Sequence, residues 1–356
     1  MNAIESSYID GRGAQLNPFN PFANLQHSKE YVEGFDEILE QNPHTQYFKE
    51  YPKEIVNKIT SPDVPFLYSL NPYQGCEHGC IYCYARNTHP FWGFSSGIDF
   101  EQKIIVKPEA PALLERTLQR SSWKGYPISF SGNTDCYQPI EKDLRLTRRC
   151  IEVMFNYRNA LSLITKSKLI VRDLDLLSEM AKNYLVHVMI TITTLDESLR
   201  QKMEPRTATA KSRLQAIEQL SKAGVPVGVM IAPVIPGLNS HEIPEIIKQA
   251  SEHGASEASY TILRLNRDVE ILFVDWIKKN YPNQSDKVLN QVAECHGGKV
   301  GDSRFVRRML GEGPVSSILS NLFRTALNRY MTKRSFPPFD LELFRRVSLQ
   351  GQLSIF

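Results

Sequence analysis

The sequence predicts an α/β fold built on a parallel sheet, and two of its features support this. Six short apolar segments rich in β-branched residues recur along the middle of the chain, as buried parallel strands do. Helical segments lie between them, which is typical of successive β-α-β units. The predicted strands are residues 67–70, 128–131, 161–165, 186–193, 225–231 and 258–263. Six such units are too few for a closed eight-fold barrel.

The intervening helices are predicted from the spacing of their apolar residues. Two segments follow the 3.6-residue period, and a third begins at an apparent capping box formed by Asn239 and Glu242. The periodic residues are Ile170, Leu174, Leu177 and Ala181, then Ala210, Leu214, Ile217 and Leu220.

Composition indicates an ordinary globular protein of one large domain with additions. The chain has 356 residues, of which 42% are hydrophobic and 23% charged. No apolar run is long enough to span a membrane, and the first residues lack a signal-peptide pattern, so we expect a cytoplasmic protein. We predict an N-terminal arm over 1–60 with a short helix near 31–41, a barrel over 61–285, a helical basic extension over 286–351 and a terminal tail over 352–356.

The net charge of +3 predicts no global attraction to nucleic acid. The distribution is uneven, because residues 286–356 carry eleven Lys/Arg and six Asp/Glu. Such a region permits phosphate contacts, although charge alone favours a solvated surface.

Polar, Gly and Pro residues concentrate where the predicted strands end. In β/α barrels the carboxyl ends of the strands form the functional rim. The loops at this rim are residues 76–84, 131–139, 165–167, 193–194 with 204–206, 233–239 and 264–267.

The first of these loops contains Cys76, Cys80 and Cys83, spaced C-x3-C-x2-C. Thiolates this close make poor disulfide partners but can converge on one metal centre. Their softness selects zinc, copper(I) or an iron–sulfur cluster. Zinc would need a fourth ligand, for which His78 and His89 are candidates. A four-iron cluster on three cysteines would keep one iron open for a substrate or cofactor.

This triplet, with Tyr82 just before its last cysteine, resembles the signature of the radical S-adenosylmethionine superfamily. The resemblance implies a partial (β/α)6 barrel and a 4Fe–4S cluster on the three cysteines. It also implies that the open iron chelates S-adenosylmethionine, which is cleaved reductively to a 5′-deoxyadenosyl radical. An electron donor such as flavodoxin or ferredoxin would then be a partner.

The same resemblance suggests residues that hold S-adenosylmethionine. Ser131-Gly132-Asn133 occupies the position of the family's Gly-Gly-Glu motif, from which it departs. Lys166 and Thr193 are placed to bind the methionine carboxylate and the ribose, and Arg206 is a rival for the carboxylate. A strand-end surface lysine is the alternative interpretation of Lys166.

Within the superfamily, residues 61–267 most resemble spore photolyase and the photolyase-like radical proteins grouped with it. The shared features are Cys-Ile-Tyr-Cys-Tyr at 80–84 and Thr-Asp-Cys-Tyr-Gln-Pro at 134–139. By this resemblance Cys136, with Tyr82 and Tyr84 nearby, is the candidate hydrogen-atom donor. The alternative is that Cys136 packs beneath its loop, as free cysteines usually do. Cys150 is predicted to be a core residue, and Cys295 lacks the neighbours needed for a second cluster.

The terminal peptide Gln352-Leu353-Ser354-Ile355-Phe356 resembles the motif that docks bacterial repair proteins in the sliding clamp. The leading hypothesis is therefore a radical enzyme acting on a nucleic-acid base, as a photolyase-like DNA-repair enzyme would. The alternatives are a radical enzyme that modifies a tRNA, a peptide or a small molecule, and a non-catalytic protein that binds zinc or the clamp.

Overall fold

The computed structural model describes residues 9, 11–22, 45–331 and 335–346. The helix predicted near 31–41 and the tail at 352–356 lie outside these residues. The strands are β1 (Gln46–Lys49), β2 (Val56–Lys58), β3 (Tyr68–Leu70), β4 (Tyr73–Gln74), β5 (Lys103–Val106), β6 (Ile128–Phe130), β7 (Leu161–Thr165), β8 (Val186–Thr191), β9 (Val227–Val234) and β10 (Glu257–Ile262).

The main sheet has seven strands in the order β10-β9-β8-β7-β6-β3-β2. Six are parallel neighbours, and β2 pairs antiparallel to β3 at one edge. These six parallel strands are the six that the sequence predicts, shifted by at most a few residues at their ends. The sheet is not closed, so the α/β class and the partial (β/α)6 barrel are confirmed.

Twelve α-helices lie in the described residues, and several of them pack against the main sheet. They are α1 (Ile98–Gln102), α2 (Ala110–Gln119), α3 (Glu141–Leu144), α4 (Leu146–Asn156), α5 (Leu174–Ala181), α6 (Glu197–Met203), α7 (Ala210–Lys222), α8 (Ile243–Glu252), α9 (Asp268–Asn280), α10 (Ser285–Cys295), α11 (Arg307–Leu310) and α12 (Gly313–Tyr330). Short 3-10 segments occupy Tyr84–Trp92, Lys168–Asp173 and Ser240–Glu242.

Successive side chains of each strand point to opposite faces of the sheet, and the apolar ones lie on the face that packs against the helices. Leu70, Phe130, Leu163 and Val188 stand side by side in register and are fully buried against the helices. The residues between them point into the concave side, which we call the lumen. Burial of this apolar face fixes the register, because a one-residue slip would send the core residues into the lumen.

A second sheet, in the order β1-β5-β4, was not predicted from the sequence. Its strand β1 belongs to the segment expected to be an irregular arm, and it pairs in parallel with β5. Strand β4 pairs antiparallel with β5 and ends two residues before Cys76. This sheet therefore anchors the start of the cysteine loop.

Residues 335–346, here called the strap, cross the end of the barrel opposite the rim. The backbone N–H of Asp340 donates to Tyr184 O at 3.2 Å, and that of Arg345 donates to Tyr157 O at 3.0 Å. The Arg346 guanidinium donates to the carbonyl of Trp123 at 2.8 Å. These partners precede β8, β7 and β6, so the strap runs beneath three neighbouring strands.

Candidate active site

Backbone hydrogen bonds hold the cysteine loop in place at the rim. The N–H of Cys76 donates to Phe100 O at 2.9 Å, and that of Ile81 donates to Met203 O at 3.0 Å. Gly79 adopts a left-handed φ of 68° between the first two cysteines, a conformation that glycine adopts without strain. The loop thus takes support from both α1 and α6.

The three thiols of this loop are free, and they lie close enough to affect one another electrostatically. Cys76 and Cys80 are buried, while Cys83 is partly exposed. Burial raises the pKa of Cys76 well above its usual range, and the neighbouring Asp135, Cys80 and Cys83 add to the effect. The unliganded Cys76 thiol is therefore neutral here, and a positively charged metal centre would favour its ionised form.

Within the described part of the chain, no group of three or more Cys, His, Asp or Glu side chains is arranged to hold a single metal ion. His78 instead lies with Nδ1 3.4 Å from Asp135, and His89 is buried between Phe94 and Phe100. Neither histidine completes a Cys3His zinc site. Three soft thiols with no fourth ligand among the described residues fit an iron–sulfur cluster better than a structural zinc ion, which takes four ligands.

A buried ion pair ties the N-terminal segment to the cysteine loop. Arg86 donates from Nε to Cys80 O at 3.0 Å and from a guanidinium nitrogen to Glu101 at 2.5 Å. Glu101 in turn accepts the backbone N–H groups of Gly13 and Ala14 at 3.1 and 2.8 Å. A Cβ on Gly13 would lie 1.9 Å from Gly79 O, so only glycine permits this approach.

The loop after β6 brings Ser131, Gly132 and Asn133 to the same rim. Ser131 Oγ accepts the N–H of Cys136 at 2.9 Å, and Ser131 itself has a positive φ of 69°. The Gly132 carbonyl accepts the Tyr84 hydroxyl. Asn133 Nδ2 donates to Gln74 at 2.8 Å. This loop is thus joined to β4 and to the residue that follows the last cysteine.

Asp135 connects the loop after β6 to the loop after β7. Its carboxylate accepts the Thr165 hydroxyl at 2.7 Å and the Lys166 N–H at 2.8 Å. Although burial raises its pKa, the adjacent His78 and these hydrogen bonds lower the pKa of Asp135 to about 2. Asp135 is therefore ionised. Its contacts with His78, Thr165 and Lys166 connect three of the rim loops.

Glu204 and Arg213 form a buried network beneath Tyr82 that local sequence patterns did not reveal. Glu204 accepts the Thr193 hydroxyl at 2.6 Å and the Arg213 guanidinium at 2.5 Å, and it also accepts the Tyr82 hydroxyl. Burial raises the pKa of Glu204, but Arg213 and Lys166 outweigh it and lower that pKa to about 2. Thr193 is fully buried within this network.

Lys166 presents its ammonium group to the centre of the site. Its Nζ lies 5.8 Å from the centroid of the Tyr82 ring. Burial lowers the pKa of Lys166, but the nearby Cys80 thiol and Glu204 carboxylate raise it overall. No hydrogen bond from this ammonium group to another described residue is present, so it is available to an anionic ligand.

Arg206 takes a different position from Lys166. Its guanidinium lies 3.7 Å from Glu77, whose carboxylate also accepts the Tyr47 hydroxyl at 3.1 Å. Of the two cations predicted to bind a carboxylate, Lys166 is the one that faces Cys80.

The three residues predicted to take part in hydrogen-atom transfer differ in exposure. Tyr84 is about half exposed, at 54%. Tyr82 is buried above Glu204. Cys136 is 1% exposed and belongs to the main hydrophobic core, with its carbonyl accepting the Thr147 hydroxyl at 2.6 Å. Its role as a donor remains a prediction, and its burial is also what a packing role requires.

Comparison with models of protein families assigns this sequence to a known superfamily. A model of the radical SAM superfamily matches residues 70–250, which include the cysteine loop and strands up to β9. A Mycobacterium tuberculosis (strain H37Rv) protein, described as uncharacterised, is 33% identical over 233 residues, covering 65% of this chain and 68% of that protein. A radical SAM Nα-GlyT isomerase of Pseudomonas phage M6 is 23% identical over 172 residues, covering 48% of this chain and 34% of the isomerase.

The fold is also similar to solved structures. Spore photoproduct lyase complexed with dinucleoside spore photoproduct superposes with a TM-score of 0.58 and 16% identity, covering 80% of each chain. A double mutant of that enzyme with bound AdoMet and the same ligand gives a TM-score of 0.55 at 16% identity, covering 80% of this chain and 79% of the mutant. At this identity the similarity shows a shared fold. No helix in the described ranges is long and apolar enough to cross a membrane.

Proposed function

The chain belongs to the radical SAM superfamily, and from this premise we propose that it cleaves S-adenosylmethionine reductively and acts on a nucleic-acid base. The family implies a 4Fe–4S cluster and S-adenosylmethionine as cofactors. The observation that supports the assignment is the set of three free, neighbouring thiols at the rim of the partial barrel. Cys76, Cys80 and Cys83 would hold the cluster.

When bound, the cluster supplies an electron that cleaves the sulfonium of S-adenosylmethionine to methionine and a 5′-deoxyadenosyl radical. The protein's own part is to hold the thiolates and orient the cofactor. The cysteine loop is fixed on both sides, by β4 and by the Arg86–Glu101 pair. Two of the three cysteines, Cys76 and Cys80, are buried, which limits the access of water to the centre.

Lys166 would bind the methionine carboxylate. Its ammonium group is charged, faces Cys80 and has no other hydrogen-bond partner among the described residues. The Glu204–Arg213 pair holds the Tyr82 ring beside it through the tyrosine hydroxyl. Residues 131–133 line the neighbouring edge, where the carbonyl of Gly132 is already used by Tyr84. Thr193 and Arg206, whose groups are engaged elsewhere, have less support as ligands.

The nucleic-acid substrate is supported by similarity of the whole fold. The superposition on spore photoproduct lyase extends over 80% of this chain and therefore beyond the 181 residues between 70 and 250 that define the superfamily. The ligand in that neighbour is a dinucleoside. DNA, a sliding clamp bound by Gln352–Phe356, and a cytoplasmic electron donor such as flavodoxin or ferredoxin remain the proposed partners.

The test is anaerobic reconstitution followed by chemical analysis. Iron, sulfide and zinc are measured first, and S-adenosylmethionine and dithionite are then added with or without single-stranded DNA or RNA. We expect roughly four irons per chain, formation of 5′-deoxyadenosine, and a higher rate with nucleic acid. A rate that no nucleic acid changes would contradict the substrate assignment. One zinc without cleavage would contradict the whole proposal.

A further inference from the structure

The lumen of the barrel carries a row of hydroxyl groups. Ser69 pairs in register with Ser129, Ser129 with Ser162, and Ser162 with His187. These residues alternate with the buried core residues of the same strands, so their side chains point into the lumen. Neighbouring strands are roughly 4.8 Å apart, so the serines form a row with that spacing.

These hydroxyls have no hydrogen-bond partner in the part of the chain that the structure describes. Among the described residues, none donates to or accepts from Ser69, Ser129 or Ser162 through the side chain. Ser162 is 7% exposed, which makes it a nearly buried hydroxyl that still reaches the lumen. Buried polar groups are normally satisfied, so an unpaired row on one wall indicates a partner that enters from outside.

The row lies directly below the loop proposed to hold S-adenosylmethionine. A Cβ added to Gly132 would lie 3.6 Å from the Cβ of Ser69. A group bound against the serines is therefore adjacent to the place where radical chemistry would begin.

The next layer of the same lumen, on β7, β8 and β9, has a different character. Ile164, Met189 and Gly228 follow one another in register, and Met230 lies two residues further along the same strand as Gly228. A Cβ on Gly228 would lie 2.7 Å from Met189 Sδ and 3.1 Å from the Phe336 ring, so these three residues converge. Thioether sulfur packs favourably against aromatic rings.

The strap closes this space from below. The His187 ring stacks on Phe339 with centroids 3.9 Å apart and lies 4.6 Å from the Phe336 centroid. The imidazole is fixed by a 2.8 Å hydrogen bond between Nε2 and Pro337 O. The lumen thus has a hydroxyl row, a neighbouring thioether layer and an aromatic floor.

We infer that this lumen binds a flat heteroaromatic ring whose polar edge hydrogen-bonds to Ser69, Ser129 and Ser162 while its face contacts Met189. A nucleobase has this chemistry, because its edge carries both donors and acceptors and its faces are apolar. Hydroxyl groups can donate and accept, so they match such an edge. The inference rests on the proposed function and identifies the side chains that would recognise the base.

The experiment uses the reconstituted full chain with two probes of equal length, a mixed-sequence single-stranded DNA and an abasic DNA. The KM for each probe is measured from 5′-deoxyadenosine formation, and the KM for S-adenosylmethionine is measured alongside. Ser129→Ala and Ser162→Ala are compared with Ser129→Thr, which keeps the hydroxyl. Ser320→Ala, at an exposed and unpaired serine of α12, is the matched control.

We expect each alanine variant to raise the KM for the base-containing probe about fivefold, the loss of one hydrogen bond. The KM for abasic DNA and for S-adenosylmethionine should change much less, and Ser129→Thr should restore most of the affinity. Equal KM values in wild type, Ser129→Ala and Ser162→Ala would overturn the inference while leaving a base substrate intact. If the wild type gives the same KM for both probes, the proposed nucleic-acid base substrate is wrong, and the inference is wrong with it.

Discussion

The guanidinium of Arg86 lies 2.5 Å from the carboxylate of Glu101, and both side chains are fully buried. Arg86 follows the cysteine triplet by three residues, and Glu101 is also bonded to Gly13 and Ala14. One ion pair therefore connects the N-terminal segment, α1 and the proposed cluster loop. Its geometry fixes the loop before any cofactor binds.

Neutralising Glu101 should destabilise the fold strongly. Glu101→Gln leaves the Arg86 charge buried without a counter-charge, which costs about 3–5 kcal/mol. The control is Glu179→Gln, because Glu179 pairs with Lys182 on the surface, where such a pair contributes less than about 1 kcal/mol. Denaturant unfolding of the apoprotein measures both. Similar losses in the two variants would contradict the structural role of the buried pair.

Removing one cluster ligand should abolish the chemistry. We expect Cys83→Ala to lose iron and to form no 5′-deoxyadenosine under anaerobic conditions, because all three thiolates are needed to hold the cluster. Cys150→Ala, which removes a buried thiol from α4, should retain both properties. Iron analysis and chromatography of the products provide the measurement. Cleavage retained by Cys83→Ala would refute the cluster assignment.

Lys166 should control affinity for S-adenosylmethionine. A hydrogen bond to a charged group is worth about 1.5–3 kcal/mol, so Lys166→Ala should weaken binding by roughly 10- to 100-fold. Lys168→Ala, two residues further along and exposed, is the control. Calorimetric titration of the reconstituted protein gives the Kd. Unchanged affinity in Lys166→Ala would contradict this role and favour Arg206 as the residue that binds the methionine carboxylate.

Local pattern explains what the sequence could predict. The six barrel strands are apolar on the core face, and this signal is present in each segment alone, as in 161–165. The C-x3-C-x2-C spacing of the cysteine loop is likewise visible within one short segment. In contrast, β1 has two exposed ends among its four residues and lies in a polar arm, so its pairing with β5 has no local signature.

The Glu204 network illustrates a second limit. Glu204, Arg213 and Tyr82 come from three separate segments, and only the fold brings them together. The lumen serines were equally hidden, because a serine within a short strand becomes informative only once register aligns it with its neighbours. Long-range pairing of polar groups is thus the information that the sequence alone did not supply.

Cys136 should affect the product of the reaction more than its initiation. If its thiol quenches a substrate radical, Cys136→Ala should still cleave S-adenosylmethionine without coupling but yield altered substrate products. Because the residue is buried in the core, thermal unfolding is recorded in parallel to detect a packing loss. Product analysis by mass spectrometry is decisive. Loss of cleavage itself in a folded variant would leave the donor role unsupported.

Acid should destabilise the protein partly through Glu204. Its pKa is lowered from an ordinary 4.5 to about 2, because Arg213 and Lys166 outweigh burial. The unfolded state therefore binds the proton more readily, and the stabilisation is complete above pH 4.5 and lost as the pH falls towards 2. The size of this contribution is on the order of 3 kcal/mol.

Glu204→Gln should remove this contribution and flatten the acid limb of the stability curve. We expect the difference in unfolding free energy between wild-type and variant apoprotein to be largest above pH 4.5 and to shrink as the pH approaches 2. The control is Glu218→Gln, which removes one partner of an exposed i,i+4 pair with Lys222. Its unfolding free energy should depend on pH nearly as that of the wild type does. A pH-independent difference for Glu204→Gln would mean that the variant loses hydrogen bonds to Thr193 and Tyr82 without any proton linkage.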